Sequence, residues 1–146
     1  MARQLITFRL GEQSFGLDIM AIREIRAWSP ATRLPHVPPY VAGVVNLRGT
    51  VLPVIDLAAR LGWEPANPTD RHVIIVAQVG TQLRGLIVDA VSDIVTAQEE
   101  EMQPAPATGS DAVVPYLEGL LALEDRMVMV LDLPGLTADA VLPEAA

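Results

Sequence analysis

Glu24 and Arg48 are the charged residues whose neighbours call for an explanation. Glu24 sits in Ile22-Arg23-Glu24-Ile25, and Arg48 lies between Leu47 and Gly49 in Asn46-Leu47-Arg48-Gly49. A charge among apolar neighbours is costly to bury unless it finds a partner. The planar arginine fork suits a carboxylate, so an ion pair would satisfy both. The local pattern equally allows each side chain to point into water.

The other chemically capable residues offer less. His36 lies between Pro35 and Val37 in a proline-rich stretch, with no orienting partner that would make it a general base. His72 opens an apolar run and reads as a strand-end residue. Asp56 and Asp89 each close an apolar run and read as capping or turn residues; no paired-carboxylate site can be drawn from their spacing. Glu99-Glu100-Glu101 reads as a solvated face. Ser14, Ser29, Ser92 and Ser110 lie in no nucleophile turn. The motifs GxSxG, HExxH and GxGxxG and the phosphate-binding glycine loop are all missing. With 0 cysteines and 2 histidines, thiolate chemistry, Cys-zinc sites and multi-histidine centres are excluded. The 10 basic residues are all arginine, which rules out a Schiff-base or phosphate-loop lysine. No enzyme activity, cofactor or metal is expected.

The elements that must position these residues are mostly strands. Apolar residues alternate at Ile6, Phe8 and Leu10, with Thr7 and Arg9 facing the other way, and again at Phe15, Leu17 and Ile19 after Gly11-Glu12-Gln13. That is a hairpin signal. Ala21 to Trp28 reads as a helical turn and then a strand, and residues 29–40 as irregular, with four prolines. Val44 to Leu47 and Val51 to Ile55 flank a turn at Arg48-Gly49, and Pro53 points to an edge strand or a bulge. Asp56 reads as the N-cap of a short helix that Gly62 stops. Residues 63–70 read as a connecting loop.

His72 to Ala77 forms an apolar strand, and Leu83 to Val91 returns with Gly85 as a possible bulge. Asp93 to Ala97 is another short strand, followed by a helical turn over residues 98–102. Pro104 to Pro115 reads as a mobile loop. Leu117 to Leu123 pairs with Arg126 to Leu133, and the tail from Thr137 has helical composition. The count is nine or ten short strands, roughly five in each half, with two or three brief helices. This describes small barrels or a sandwich.

A chain of 146 residues with 51% apolar and 19% charged residues can bury a sizeable core without a disulfide or metal. The net charge of −8 argues against nucleic acid as a partner. The N-terminus turns polar within a few residues, unlike a signal peptide, and no apolar run approaches the roughly 20 residues of a membrane helix. A cytosolic, soluble protein without membrane insertion is expected.

Several segments together resemble the CheW family, the adaptors that link bacterial chemoreceptors to the histidine kinase CheA. They are Phe8-Arg9-Leu10-Gly11-Glu12, Phe15-Gly16-Leu17-Asp18-Ile19, Ile22-Arg23-Glu24-Ile25, Gly43-Val44-Val45-Asn46-Leu47-Arg48-Gly49 and Leu52-Pro53-Val54-Ile55-Asp56-Leu57. The likeness continues in Gly85 to Asp89, Val91 to Val95, Gln103 to Pro106 and Tyr116 to Leu133, in family order. The block from Asn46 to Leu57 is the most specific.

The resemblance implies an all-β fold of two orthogonal SH3-like barrels, five-stranded each, sharing a hydrophobic core, with a few short helices. It implies one domain over residues 1–146, with an approximate division of its subdomains near residues 50–70 and a C-terminal segment that can return to the first. The implied partners are the CheA regulatory domain and the cytoplasmic tip of methyl-accepting chemoreceptors, at arrays on the inner face of the cytoplasmic membrane. The implied receptor-interaction residues are Ile22, Glu24, Ile25, Asn46, Leu47, Arg48 and Gly49. Other readings remain: a CheW-like adaptor of a non-flagellar array, a detached regulatory domain of a CheA-type kinase or the adaptor half of a CheV-type protein, and more remotely a ligand-binding or enzymatic β-barrel. The length leaves no room for a kinase module or receiver domain.

Overall fold

The computed structural model describes residues 2–62, 69–104 and 116–137. The alternation at the start of the chain builds the hairpin of β1 (Ala2–Leu10) and β2 (Gln13–Asp18). Phe8 and Phe15 oppose each other across it, fully buried and stacked with ring centroids 5.9 Å apart. A 3-10 turn, Ile19–Ala21, follows, and the Asp18 carboxylate accepts the Met20 N–H at 2.9 Å to cap it. It leads into β3 (Ile22–Ala27), and residues 29–40 are irregular.

β4 (Val41–Leu47) and β5 (Thr50–Asp56) are joined by Arg48-Gly49. Both turn residues have positive φ, 49° and 86°, as a two-residue type I′ hairpin requires. The Asp56 carboxylate accepts the Ala59 N–H at 3.3 Å and caps α1 (Leu57–Arg60). Gly62, at φ 85°, follows the helix end. Asp56→Ala should lower stability by about 1 kcal/mol, the usual loss for an N-cap. Urea unfolding measures it, and an unchanged midpoint would show that the cap contributes nothing.

β6 (Val73–Val79), β7 (Gln82–Val88) and β8 (Ala90–Gln98) follow, then a 3-10 turn (Glu99–Glu101), β9 (Met102–Gln103), β10 (Leu117–Ala122), β11 (Met127–Leu131) and α2 (Leu133–Thr137). They form a six-stranded sheet in the order β8-β1-β2-β11-β10-β9 and a five-stranded sheet in the order β3-β6-β7-β5-β4. Each contains one parallel pair, β2 with β11 and β5 with β7. The outer strands β8 and β9 of the first sheet are linked by the Glu99–Glu101 turn. In the second, Thr32 and Val44 exchange backbone hydrogen bonds of 2.9 and 2.8 Å, tying the segment after β3 to β4. Both sheets are thus drawn toward barrels, consistent with the expected fold class.

The main apolar cluster takes residues from both sheets, among them Phe8, Phe15, Leu17, Ile55, Ile75, Leu86 and Leu131. A smaller cluster fills the five-stranded unit, including Leu47, Leu52, Val54, Ile74, Val76 and Ile87. Another, with Leu5, Ala97, Leu121, Val128 and Val130, belongs to the six-stranded unit.

Several local expectations are corrected. Pro53 lies in an inner strand, not an edge strand. Its missing N–H is tolerated because β5 pairs with β7 only from Val54 onward, so one side of Pro53 faces no neighbour strand. Gly85 forms no bulge: the β6–β7 register is unbroken around it. A Cβ there would lie 3.0 Å from Ile74 Cγ2 and 3.3 Å from Val54 Cγ2, so glycine lets β5, β6 and β7 approach closely. The strand begun before Leu83 ends at Val88, and Asp89 separates it from a nine-residue β8.

Thr7 faces the other way from Ile6 and Phe8, as expected, yet is fully buried, because that face, which also carries Leu5, is covered by the six-stranded unit's own cluster. β5, which lies within the region 50–70, and β6, which follows that region, belong to the same sheet, and the chain changes sheets at Ile19–Ala21 and again at Asp89. The connecting loop at 63–68, the loop at 105–115 and the tail from 138 lie outside the described residues.

Candidate functional site

Glu24 and Arg48 meet. Arg48 Nη2 donates to Glu24 Oε1 at 2.8 Å, and Arg26 Nη1 stands 4.0 Å from Glu24 Oε2. β3 and β4 are the two outer strands of the five-stranded sheet, so the pair links its open edges. The Arg48 side chain is 74% exposed and that of Glu24 26%. The apolar sequence neighbours therefore do not enclose the charges: Arg48 projects from a turn. Water screens a pair of this kind, so its geometry serves the surface more than the core.

The bulge in β3 sorts the neighbouring side chains. The register shifts between Ile22 and Glu24, so Ile22 pairs with Ala77, Glu24 with Val76, Ile25 with Ile75 and Arg26 with Ile74. Ile22 and Ile25 therefore share the face that carries the main apolar cluster, while Glu24 and Arg26 share the opposite one. Ile22 is half-buried against that cluster, and Ile25 is exposed. Leu47 is buried within the five-stranded unit and supports the turn from beneath. Asn46 Oδ1 accepts the Gly49 N–H at 2.8 Å and fixes the turn that aims Arg48. Glu24, Asn46, Arg48 and Gly49 are thus brought together, with Ile25 exposed on the other face of β3.

A second polar cluster has no counterpart in the sequence reading. The buried Thr7 hydroxyl is bonded to the Asp93 carboxylate, and Arg126 Nη2 donates to Asp93 Oδ1 at 2.6 Å. The Asp93 N–H also donates to Thr7 Oγ1 at 3.2 Å, which fills the break in the β1–β8 ladder. Arg60 lies over the Tyr40 ring at 4.3 Å and the Tyr116 ring at 4.7 Å, and its Nε donates to the Leu136 carbonyl at 2.7 Å. That joins α1 to α2. Residues so far apart in the chain left no spacing to read.

His36 is exposed, at φ 60°. His72 precedes β6 and its Nδ1 accepts the Thr69 N–H at 3.0 Å. Asp89 Oδ2 accepts the Gly11 N–H at 2.6 Å, a turn role as expected. The three glutamates at 99–101 are exposed. Among the described residues no cluster of acidic or histidine side chains could hold a metal ion, and no helix is long and apolar enough to cross a membrane.

The hydrogen bond from Arg48 holds the Glu24 carboxyl below its ordinary value of 4.5, helped by the charges of Arg48 and Arg26. The Thr7 hydroxyl, and after it Arg126, does the same for Asp93, whose ordinary value is 3.8. An unfolded chain therefore binds more protons in mild acid than the folded one. These groups stabilise the fold above the ordinary carboxylate values, and the contribution is lost as pH falls through the lowered folded ones. Asp93→Asn should flatten the acid side of the stability profile measured by urea unfolding. An unchanged acid slope would show that the cluster plays no part in it.

Two small β-barrels, an ion pair held at the surface across open strand edges, and large apolar side chains exposed on strands define a class: a protein-binding β module. The comparisons narrow it. The family model described as CheW-like domain matches residues 4–141. The chain is 55% identical over 137 residues to a probable chemotaxis protein CheW of Rhizobium etli, covering 94% of this chain and 88% of that one. It is 53% identical over 141 residues to chemotaxis protein CheW of Rhizobium meliloti, covering 97% and 88%. The crystal structure of scaffolding protein TtCheW from Thermoanaerobacter tengcongensis superposes with a TM-score of 0.84 at 32% identity, covering 93% of this chain and 88% of that one. The chain belongs to the CheW-like family, a family of chemotaxis scaffolds.

Proposed function

We propose that this chain is the chemotaxis adaptor that couples the cytoplasmic tips of transmembrane chemoreceptors to the regulatory domain of the histidine kinase CheA. The observation that carries this reading is the family match over residues 4–141, which spans both sheets. In it the chain works as one unit of two subdomains, in the cytoplasm, at receptor arrays beneath the membrane. It catalyses nothing: it holds a receptor and a kinase in fixed relation, so that movement in one biases the other. Such coupling requires contacts that differ between two states of the assembly.

The receptor-facing residues in this reading are Ile22, Glu24, Ile25, Asn46, Arg48 and Gly49, with Leu47 as their buried support. A non-glycine residue at φ 49° in the Arg48 position supports it. Backbone strain of this kind persists where the side chain is needed. Exposed apolar side chains on strands, Ile94 and Met127, supply candidate kinase contacts.

The test is a pull-down of purified kinase regulatory domain and of receptor cytoplasmic fragments by the purified chain. Capture of each separately, and of both together, is the expected result. Capture of neither would overturn the reading.

A further inference from the structure

β5 and β7 run side by side but pair only where Val54 to Asp56 meet Gly85 to Ile87. Upstream of that point the two strands part, and a groove of about 520 Å³ opens between Thr50–Pro53 and Thr81–Arg84. Arg84 lines it and is more than nine-tenths buried, with 7% of its surface exposed. Its Nη1 donates to the Leu83 carbonyl at 3.1 Å and its Nη2 to the Gln82 side-chain oxygen. Its Nε has no acceptor. Among the described residues no carboxylate stands within ion-pairing distance of it. Desolvation pushes the guanidinium below its ordinary value, and no neighbouring acid offsets this.

A buried arginine with a spare donor and no counter-charge weakens a fold unless something outside it completes the pair. We propose that this groove docks an extended segment of a partner protein, one of whose aspartate or glutamate carboxylates pairs with Arg84. The occupant is a peptide segment, not a free anion, for two reasons. Val51, 52% exposed, and the half-buried Leu83 stand along the walls, and a small ion would leave that apolar surface bare. The facing edges of β5 and β7 form no ladder with each other there, so a backbone can enter between them as strand addition does. The side chain required is therefore an acid flanked by apolar residues. The assignment goes beyond the adaptor reading and does not depend on which partner that reading names.

The test uses the full chain, labelled for amide NMR, and its Arg84→Met variant, which keeps the apolar stem. The probes are the capped peptide Val-Glu-Val-Glu-Val, its glutamine counterpart and sodium phosphate. The glutamate peptide should shift the amides of residues 50–52 and 81–84. The glutamine peptide should bind roughly tenfold more weakly, the loss typical of one charge-assisted hydrogen bond. Arg84→Met should abolish the difference while melting no lower than the parent, since a buried unpaired charge has been removed. Equal binding of the two peptides, equal shifts in Arg84→Met, or no shift at these amides would overturn the proposal. Phosphate shifting the same amides when neither peptide does would reassign the groove to a small anion and also overturn it.

Discussion

Gly43→Ala is expected to destabilise the chain by about 3 kcal/mol or more, through backbone strain compounded by a steric clash. Gly43 lies at φ 150°, and a Cβ built there falls 2.3 Å from the Thr32 carbonyl oxygen. Backbone cannot yield as a flexible side chain does. Either Thr32 moves and loses its paired hydrogen bonds with Val44, or β4 shifts away from the segment that follows β3. Both open the five-stranded unit at the place where it is drawn closed. Gly11→Ala is the control, because Gly11 has φ 59° but nothing within 4 Å of its built Cβ. It carries conformational strain alone and should cost about 1 kcal/mol. Urea unfolding of the two variants separates these effects, and equal losses would show that the close approach at Thr32 is unimportant.

Arg48→Gly should abolish receptor binding while leaving stability close to that of the parent. Two opposing terms produce that result. A solvent-screened ion pair contributes little to stability. Glycine relieves a left-handed conformation that disfavours arginine by a similar amount. The fold therefore scarcely registers the change, and a lost interaction with receptor fragments reports on the surface itself. Glu24→Ala should reproduce the binding loss. The double variant should bind no more weakly than either single one, because two residues acting as one pair cannot both be lost twice. Additive losses would mean that Glu24 and Arg48 act separately, and normal binding by both single variants would remove them from the site.

The contrast between these two substitutions shows where the sequence was legible. Period-two alternation exposed the hairpin of β1 and β2 because each strand has one greasy face, and Asp56 with Gly62 bracketed α1 by ordinary capping chemistry. The Arg48-Gly49 turn was readable for the same reason, since turn conformations restrict residue type. The parallel pairings β2–β11 and β5–β7 were not, because they join strands far apart in the chain and nothing in either strand names its neighbour. Pro53 and Gly85 are opaque in the sequence for the same reason: both are explained by where β7 joins and leaves β5.

At the site, the residue types at Glu24 and Arg48 raised an ion pair as one of two possibilities, and the contact is present. The apolar neighbours misled on burial, since Arg48 stands on a turn at the sheet's edge. Arg26 lies two residues beyond Glu24, the spacing that puts two side chains on one face of a strand, so its place beside the pair is carried by a signal in the sequence. The Thr7–Asp93–Arg126 cluster depends on a register shift that local pattern does not encode. Arg84 gave no sign at all, because its isolation is a property of the three-dimensional surroundings.

In the proposed role the chain transmits receptor state to a kinase by holding both. The most direct measurement is kinase autophosphorylation with receptors in vesicles, in the presence and absence of the purified chain. Receptor ligand should change kinase activity only when the chain is present, and Arg48→Gly should remove that control while still binding the kinase. Receptor control that persists without the chain, or that Arg48→Gly leaves intact, would contradict the account.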